Sequence, residues 1–351
     1  MVVRVMGPRL WFFVVIVCCI TFIFYFERRV MRLEDSKLKL ELAVARIQLR
    51  EVDQRRGSST LSNLNSRDLV IIYNRVPKTG STSFVGVAYD LCKKNGFHVL
   101  HINITGNMHA LSLKNQFQFV WNVSHWNAMK PAFYHGHLAF IDFAQFGVSQ
   151  RPLYINLIRK PLDRLVSYYY FLRHGDNFRP HLIRRKHGDK VTFDECVKLR
   201  QADCDPENMW LQIPFFCGHA VECWYVIPGN EWALKEAKKN LINHYFLVGV
   251  TEELGDFIKV LEVALPGFFH GASSHYETSN KSHLRRTSQK VDPLPETVSE
   301  IQKSRIWKME NELYEYALEQ FHYAKKRSLT TKDGGMADKN QQFMYEKIRP
   351  K

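Results

Sequence analysis

The 351-residue sequence contains no GxxxxGK[ST] phosphate loop, and no strand-end acidic residue of the Walker-B kind stands out. Both absences weaken an ATPase or kinase reading. There is no internal repeat, which excludes solenoid and propeller arrays. Glycine and proline are at ordinary levels, 18 and 13 residues, so the chain is neither collagen-like nor wholly disordered. Acidic residues are the minority, 35 against 49 Lys and Arg, leaving a net charge of +14. That excess favours a polyanionic partner (nucleic acid, anionic lipid or acidic polysaccharide), although a generally basic soluble surface would look the same. None of the seven cysteines is spaced C-x₂-C, which argues against a zinc site.

One apolar run is present. Residues 10–26 are 17 uncharged residues, just long enough for a thin bilayer. Arg4 and Arg9 precede the run, and Glu27, Arg28 and Arg29 follow it. It ends in bulky Phe24, Tyr25 and Phe26 rather than at a small-residue cleavage site, so it reads as an uncleaved signal anchor with the rest of the chain translocated. Basic flanks on both sides leave orientation ambiguous by charge alone. Residues 1–9 form the cytoplasmic tail, and 27–66 a stem. In the stem, Leu33, Leu40 and Ile47 repeat every seven as a short heptad pattern, before a polar linker at 57–66. Residues 67–351 form the globular domain. In an oxidising lumen the close pairs Cys196/Cys204 and Cys217/Cys223 are natural disulfides, leaving Cys92 over; a metal site using His219 is the weaker alternative. Sequons at Asn103, Asn122 and Asn280 suit a glycosylated lumenal protein.

Within the domain, 69–73, 98–102, 153–158 and 246–250 read as buried strands, and 84–94, 231–244, 252–264 and 297–324 as helices. Their alternation predicts an α/β fold with a central, mostly parallel sheet flanked by helices.

Three constellations carry chemistry. The segment 75–83 (RVPKTGSTS) joins a strand to a helix through a Gly/Ser/Thr loop, which offers backbone N–H groups, hydroxyls and the Lys78 charge to an anion. An ordinary structural turn fits the spacing almost equally well. His135 and His137 alternate on a strand, which places both imidazoles on one face. Such a pair can supply a general base, a metal site or structural histidines. The run 179–190 is strongly basic and reads as a solvated face or a polyanion groove.

Five segments in order resemble the Golgi carbohydrate sulfotransferases, and among them the heparan sulfate 2-O-sulfotransferases. They are YNRVPKTGSTSF at 73–84, YHGH at 134–137, IRKPLDRLVSYYYFLR at 158–173, IPFFCGH at 213–219 and SHLRRT at 282–287. The similarity runs from the stem to the terminal YEKIRPK. It implies a P-loop-like sulfotransferase fold and 3′-phosphoadenosine-5′-phosphosulfate (PAPS) as donor, with no metal. Carried onto this chain, Lys78, Thr79, Gly80, Ser81 and Thr82 would hold the 5′-phosphosulfate, and Arg159 and Ser167 the 3′-phosphate. Tyr276, Ser282, Thr287 and Lys290 match the segment that closes over the adenosine. His137 would be the base, assisted by His135, with Lys78 stabilising the leaving group. Acceptor contacts would come from Arg75, Tyr89, His101, Asp176, Arg179, Arg184 and Lys347.

The resemblance further implies a homotrimer in the Golgi membrane acting on heparan sulfate, with no nucleic-acid partner. Its reaction would be sulfuryl transfer to the 2-hydroxyl of iduronic acid, less often glucuronic acid. A uronyl 2-O-sulfotransferase of dermatan or chondroitin sulfate, or a catalytically silent heparin-binding protein, are the alternatives. Three positions depart from the family pattern: Gly106 for a lysine, Lys160 for an aspartate and Gly80 for an alanine.

Overall fold

The computed structural model describes residues 68–338, apart from 105, 107, 149–150, 177–178, 225–227, 280–286, 288 and 333–334, together with residues 19, 21, 22, 25 and 29. All of the stem but Arg29, Asn280, Ser282, Lys347 and most of the 10–26 run lie outside the described residues. Among the described residues, no helix is long and apolar enough to cross a membrane.

Five parallel strands form the central sheet. They are β1 (Val70–Asn74), β2 (His98–Ile102), β3 (Ala132–Gly136), β4 (Leu153–Ile158) and β5 (Tyr245–Val250), in the spatial order β2-β3-β1-β4-β5. The main helices are α1 (Ser81–Asn95), α2 (Leu113–His125), α3 (Pro161–His174), α4 (Glu231–His244), α5 (Leu254–Ala264), α6 (Ala272–Thr278) and α7 (Arg305–Ser328). A small antiparallel hairpin, Leu329–Lys332 with Gly335–Asp338, follows α7. The predicted parallel α/β architecture is therefore what the chain adopts.

β1 is buried throughout because it lies mid-sheet with helices over both faces. Phe84, on the first turns of α1, anchors that helix to the sheet. Its ring meets Tyr73 and Phe257 edge-on at 5.2 Å and stacks near Phe269 at 5.8 Å. Polar groups at the strand ends are satisfied across the sheet. Asn156 Nδ2 donates to the Asn74 carbonyl (2.8 Å) and side chain (3.0 Å), and the Tyr245 hydroxyl donates to Asn74 Oδ1 (3.1 Å).

From β1 the chain moves out to the edge strand β2, returns to β3 between the two, and then crosses to β4 on the other side of β1. The crevice at the carboxyl ends of β1 and β4 is thus the topological switch point, where open α/β sheets bind ligands. Gly136 closes β3 there because a Cβ would lie 2.5 Å from the Ile102 carbonyl oxygen of the neighbouring strand.

Two sequence expectations are corrected. The helix expected at 84–94 begins at Ser81, directly after Gly80. The single helix expected at 297–324 is two, Pro295–Gln302 and α7, because the Ser304 side chain accepts the Trp307 N–H at 3.1 Å and starts a new N-terminus. Both disulfides form as expected, Cys196–Cys204 and Cys217–Cys223, with Cys92 free. His219 is structural: its Nδ1 accepts the Leu111 N–H (2.8 Å) and its Nε2 donates to the Ala139 carbonyl (3.2 Å).

Candidate active site

A cavity of about 570 Å³ opens at the switch point. The β1–α1 loop forms its floor. Lys78 sits at φ 68° and Gly80 at φ 71°, so the chain turns twice through the left-handed region. For a lysine that conformation costs about 1–2 kcal/mol, and such strain gathers at functional loops. Two contacts hold the turn. Arg159 Nη1 donates to the Lys78 carbonyl (3.4 Å), and the Thr251 hydroxyl lies 3.0 Å from the carbonyls of both Thr79 and Ile158. Gly80 is the N-cap of α1 and brings no capping side chain, and the first turn carries no acidic residue. The positive end of the helix therefore faces the cavity.

Lys78 reaches across the cavity rather than out of it. Its ammonium donates to the Thr287 hydroxyl (3.1 Å) and lies 4.3 Å from the centre of the Phe171 ring. Thr287 also meets the Ser167 hydroxyl at 3.2 Å. Arg184 covers Phe171 as well, at 4.2 Å, and pairs with buried Asp176 at 3.6 Å. Phe171 thus joins the loop to the segment that carries the basic run. The lining residues include Arg75, Lys78, Arg159 and His137 together with the hydroxyls of Ser81, Thr82, Ser83 and Ser167; none of them is acidic. Such a lining suits a polyanion.

His137 stands at the rim, one residue beyond β3. Its Nδ1 lies 2.8 Å from the Arg75 carbonyl, which can only accept, so Nδ1 carries the proton and Nε2 is the basic nitrogen. Burial, reinforced by the Arg75 charge, lowers its pKa to about 3, so the ring is neutral at physiological pH. His135 is buried alongside. It stacks on His101 (4.9 Å between centroids, 24° between planes), and its Nε2 meets the Tyr89 hydroxyl at 3.0 Å. Burial and then Arg75 pull His135 down to about 3 as well. Arg75 Nη2 lies 3.3 Å from His101 Nε2, and the charges of Arg75 and Arg179, after burial, lower His101 too.

The sulfotransferase family pattern matches residues 64–317. The chain is 56% identical over 348 residues to the Drosophila melanogaster heparin sulfate O-sulfotransferase, covering 98% of this chain and 96% of the relative. It is 55% identical over 352 residues to heparan sulfate 2-O-sulfotransferase 1 of both Mus musculus and Homo sapiens, covering 99% of this chain and 98% of each relative. The chain belongs to the sulfotransferase family.

A sulfotransferase draws on an activated sulfate donor such as PAPS, and the cationic, hydroxyl-rich cavity fits such an anion. Of the donor residues expected from the sequence, Lys78, Gly80, Ser81, Thr82, Arg159, Ser167 and Tyr276 line the cavity. Thr287 reaches it through Lys78 and Ser167. Lys290 pairs with Asp292 (2.7 Å), whose carboxyl also feels the Arg159 charge. Thr79 lies in the same loop with its side chain fully buried, and its hydroxyl donates to the Val76 carbonyl (2.9 Å), so it presents no hydroxyl to a ligand and only its backbone faces the loop's anion site.

Of the acceptor contacts expected from the sequence, Arg75, Tyr89 and His101 form one cluster with His135. Asp176 is buried beneath Arg179 and Arg184, accepting the Arg179 N–H at 3.0 Å. Asn103 and Asn122 are exposed, as glycosylation requires. Sequence reasoning missed Phe171, Thr251 and Tyr168 of the lining and His109, whose Nδ1 meets the His137 carbonyl at 3.4 Å. The LVSYYYF stretch at 165–171 was the available signal for Phe171, since it runs along the helix that carries Ser167.

Proposed function

We propose that this sulfotransferase transfers the sulfuryl group of PAPS to the 2-hydroxyl of iduronic acid, less often glucuronic acid, in heparan sulfate. The carrying observation is that His137, with its tautomer fixed by the Arg75 carbonyl, lines the same cavity as Lys78. The names of the relatives support heparan sulfate as acceptor, and the basic face around Arg179 and Arg184 suits a sulfated polysaccharide.

Bound PAPS supplies the sulfuryl group on a good leaving group. His137 Nε2 takes the proton of the acceptor hydroxyl as that oxygen bonds to sulfur. Lys78 balances the negative charge that develops on the departing nucleotide phosphate oxygen as the S–O bond breaks. Both the bound donor and a uronate carboxylate bring negative charge that opposes Arg75, raising the basicity of His137 when the site is full. Ser81 and Thr82 at the start of α1 hold the 5′-phosphosulfate, and Arg159 with Ser167 holds the 3′-phosphate. Tyr276, Thr287, Lys290 and Ser282 cover the adenosine, His135 assists His137, and Arg75, Tyr89, His101, Arg179, Arg184 and Lys347 meet the acceptor, with buried Asp176 holding Arg179 and Arg184 from beneath.

The two disulfides and the exposed sequons support a catalytic domain on the lumenal side of the Golgi membrane, anchored through 10–26 and a stem at 27–66. A homotrimer completes the reading. The decisive experiment is sulfate transfer to an N-sulfated heparan precursor, with dermatan and chondroitin sulfate in parallel, followed by disaccharide analysis. A 2-O-sulfated iduronate product from heparan is expected. Transfer to dermatan or chondroitin alone would refute the acceptor assignment, and heparin binding without turnover of donor would refute the activity.

A further inference from the structure

Glu310, in the second turn of α7, is fully buried and takes no part in the chemistry above. Its Oε1 accepts the N–H groups of Leu211 (2.8 Å) and Ile213 (3.1 Å), and its Oε2 accepts from the side-chain amide of Gln212 (3.3 Å). Gln212 is itself fully buried and grips one residue from both sides: its Oε1 accepts the Arg159 N–H (2.9 Å) and its Nε2 donates to the Arg159 carbonyl (3.0 Å). Arg159 follows the last residue of β4 and precedes α3, where the backbone leaves the sheet ladder. The same face of α7 supports the next peptide, since the Tyr314 hydroxyl donates to Glu252 (3.3 Å) and Glu252 accepts the Lys160 N–H (3.2 Å). Buried Arg164 adds a compensating charge near Glu310 and fastens residues 208–209 through their carbonyls.

The polarity of this chain of contacts requires a carboxylate. Burial pushes the Glu310 carboxyl up to about 7, against which Arg164 and its three hydrogen bonds favour the charged form; all three partners are donors, and an ionised carboxylate is the only side chain that offers two acceptor atoms and no donor. A glutamine at 310 would turn an N–H₂ toward either the Gln212 amide or the two backbone N–H groups. In each orientation one buried donor faces another, and an unsatisfied buried donor costs about 1–3 kcal/mol. The Gln212 amide cannot rotate to escape, because Arg159 offers it one donor and one acceptor in fixed order.

We propose that Glu310 and Gln212 are positioning residues for the donor nucleotide, holding the Arg159 backbone so that its guanidinium meets the 3′-phosphate. The proposal rests on the reading of Arg159 as a 3′-phosphate ligand. It accounts for why a buried acid lies directly behind a cationic cavity, and why the contact runs through both polar atoms of one peptide.

The test is calorimetry with two nucleotides that differ only in that phosphate, adenosine 3′,5′-bisphosphate and adenosine 5′-phosphate. Wild type, Arg159→Ala, Glu310→Gln and the near-isosteric Gln212→Met are compared, with thermal unfolding checking that each is folded. Wild type is expected to prefer the bisphosphate, and Arg159→Ala to lose that preference. Glu310→Gln and Gln212→Met are each expected to reduce it by about 10- to 100-fold, as for a misplaced binding group, while binding of adenosine 5′-phosphate, which feels Arg159 only through the Lys78 carbonyl, falls by a smaller factor. In turnover, KM for PAPS rises with the acceptor KM unaltered, a split that general loosening of the fold would not give. Equal weakening of both nucleotides, or full retention of the preference in Gln212→Met, overturns the positioning role. Retention of the preference in Arg159→Ala overturns instead the assignment of Arg159, and the proposal with it.

Discussion

The proposed donor and acceptor sides of the site are built by different means. On the donor side the chain geometry does most of the work. A loop with two left-handed residues leads into an uncapped helix, and the carbonyls of Lys78 and Thr79 are held by Arg159 and Thr251, just past the ends of β4 and β5. On the acceptor side the ligating groups are side chains from separate elements: Arg75 after β1, Tyr89 on α1, His101 on β2, His135 on β3 and the segment after α3. That segment has its own small core around Leu165, Tyr169 and Phe193, stapled by Cys196–Cys204. Its ionic anchor is buried Arg173, which pairs with Asp189 (2.8 Å) and Asp203 (2.9 Å) and stacks 3.6 Å from the Tyr169 ring centre. On the proposed reading, backbone geometry recognises the constant nucleotide, while assembled side chains face the variable polysaccharide. His137, its tautomer set by the β1–α1 loop, would stand between the two as the base.

The largest expected effect would break this division if it failed. His137→Ala should lower turnover by about 10²- to 10⁴-fold, with affinity for adenosine 3′,5′-bisphosphate unchanged by calorimetry. A matching loss of nucleotide affinity would place His137 on the donor side. Lys78→Ala should lower kcat by about 10²- to 10³-fold in single-turnover assays, with a smaller loss of nucleotide affinity. Arg173→Ala tests the anchor of the acceptor segment. Breaking a buried pair costs about 3–5 kcal/mol, and chemical denaturation should show it, whereas the partly exposed aspartates place this case at the lower end.

Gly80→Ala probes the loop alone. A Cβ at φ 71° would lie 3.2 Å from Thr251 Cγ2, and the left-handed conformation costs about 1 kcal/mol, readable as a fall in unfolding midpoint. The smallest effect is one of slope. His135 and His137 have folded pKa values near 3, well below the unfolded 6.5. At pH 7 and above neither state is charged, so they contribute no pH dependence. As pH falls from 6.5 toward 3, the unfolded chain binds their protons and the folded one does not, so stability is lost across that window. Denaturation at pH 5 should take up about one proton fewer in His135→Asn than in wild type.

Much of the frame was legible because strands buried on both faces announce themselves as apolar runs. The strand at 153–158 and the helix at 231–244 stand where the pattern put them, whereas 98–102 is a strand in the expected place but an edge strand with no buried residue, not a buried one. Boundaries failed where a cap decided them, as at Ser304, whose hydroxyl holds Trp307 only because the chain bends there. Within the site, residue type pointed to the right neighbourhood but not to direction. Thr79 lies amid the hydroxyls of the loop yet turns inward to Val76, while its neighbours Ser81 and Thr82 line the cavity.

By itself, the sequence determined the alternation that makes a parallel sheet, the loop chemistry suited to an anion, the cysteine pairs and the membership of a sulfotransferase family, all of which depend on local spacing or matched motifs. Only the tertiary structure decided which tautomer His137 holds, that Phe171 is flanked by Lys78 and Arg184, and that Glu310 stands behind Arg159 across 151 positions of chain. The physical reason is that those properties belong to contacts between distant segments, and a contact has polarity and direction that no single stretch of sequence contains.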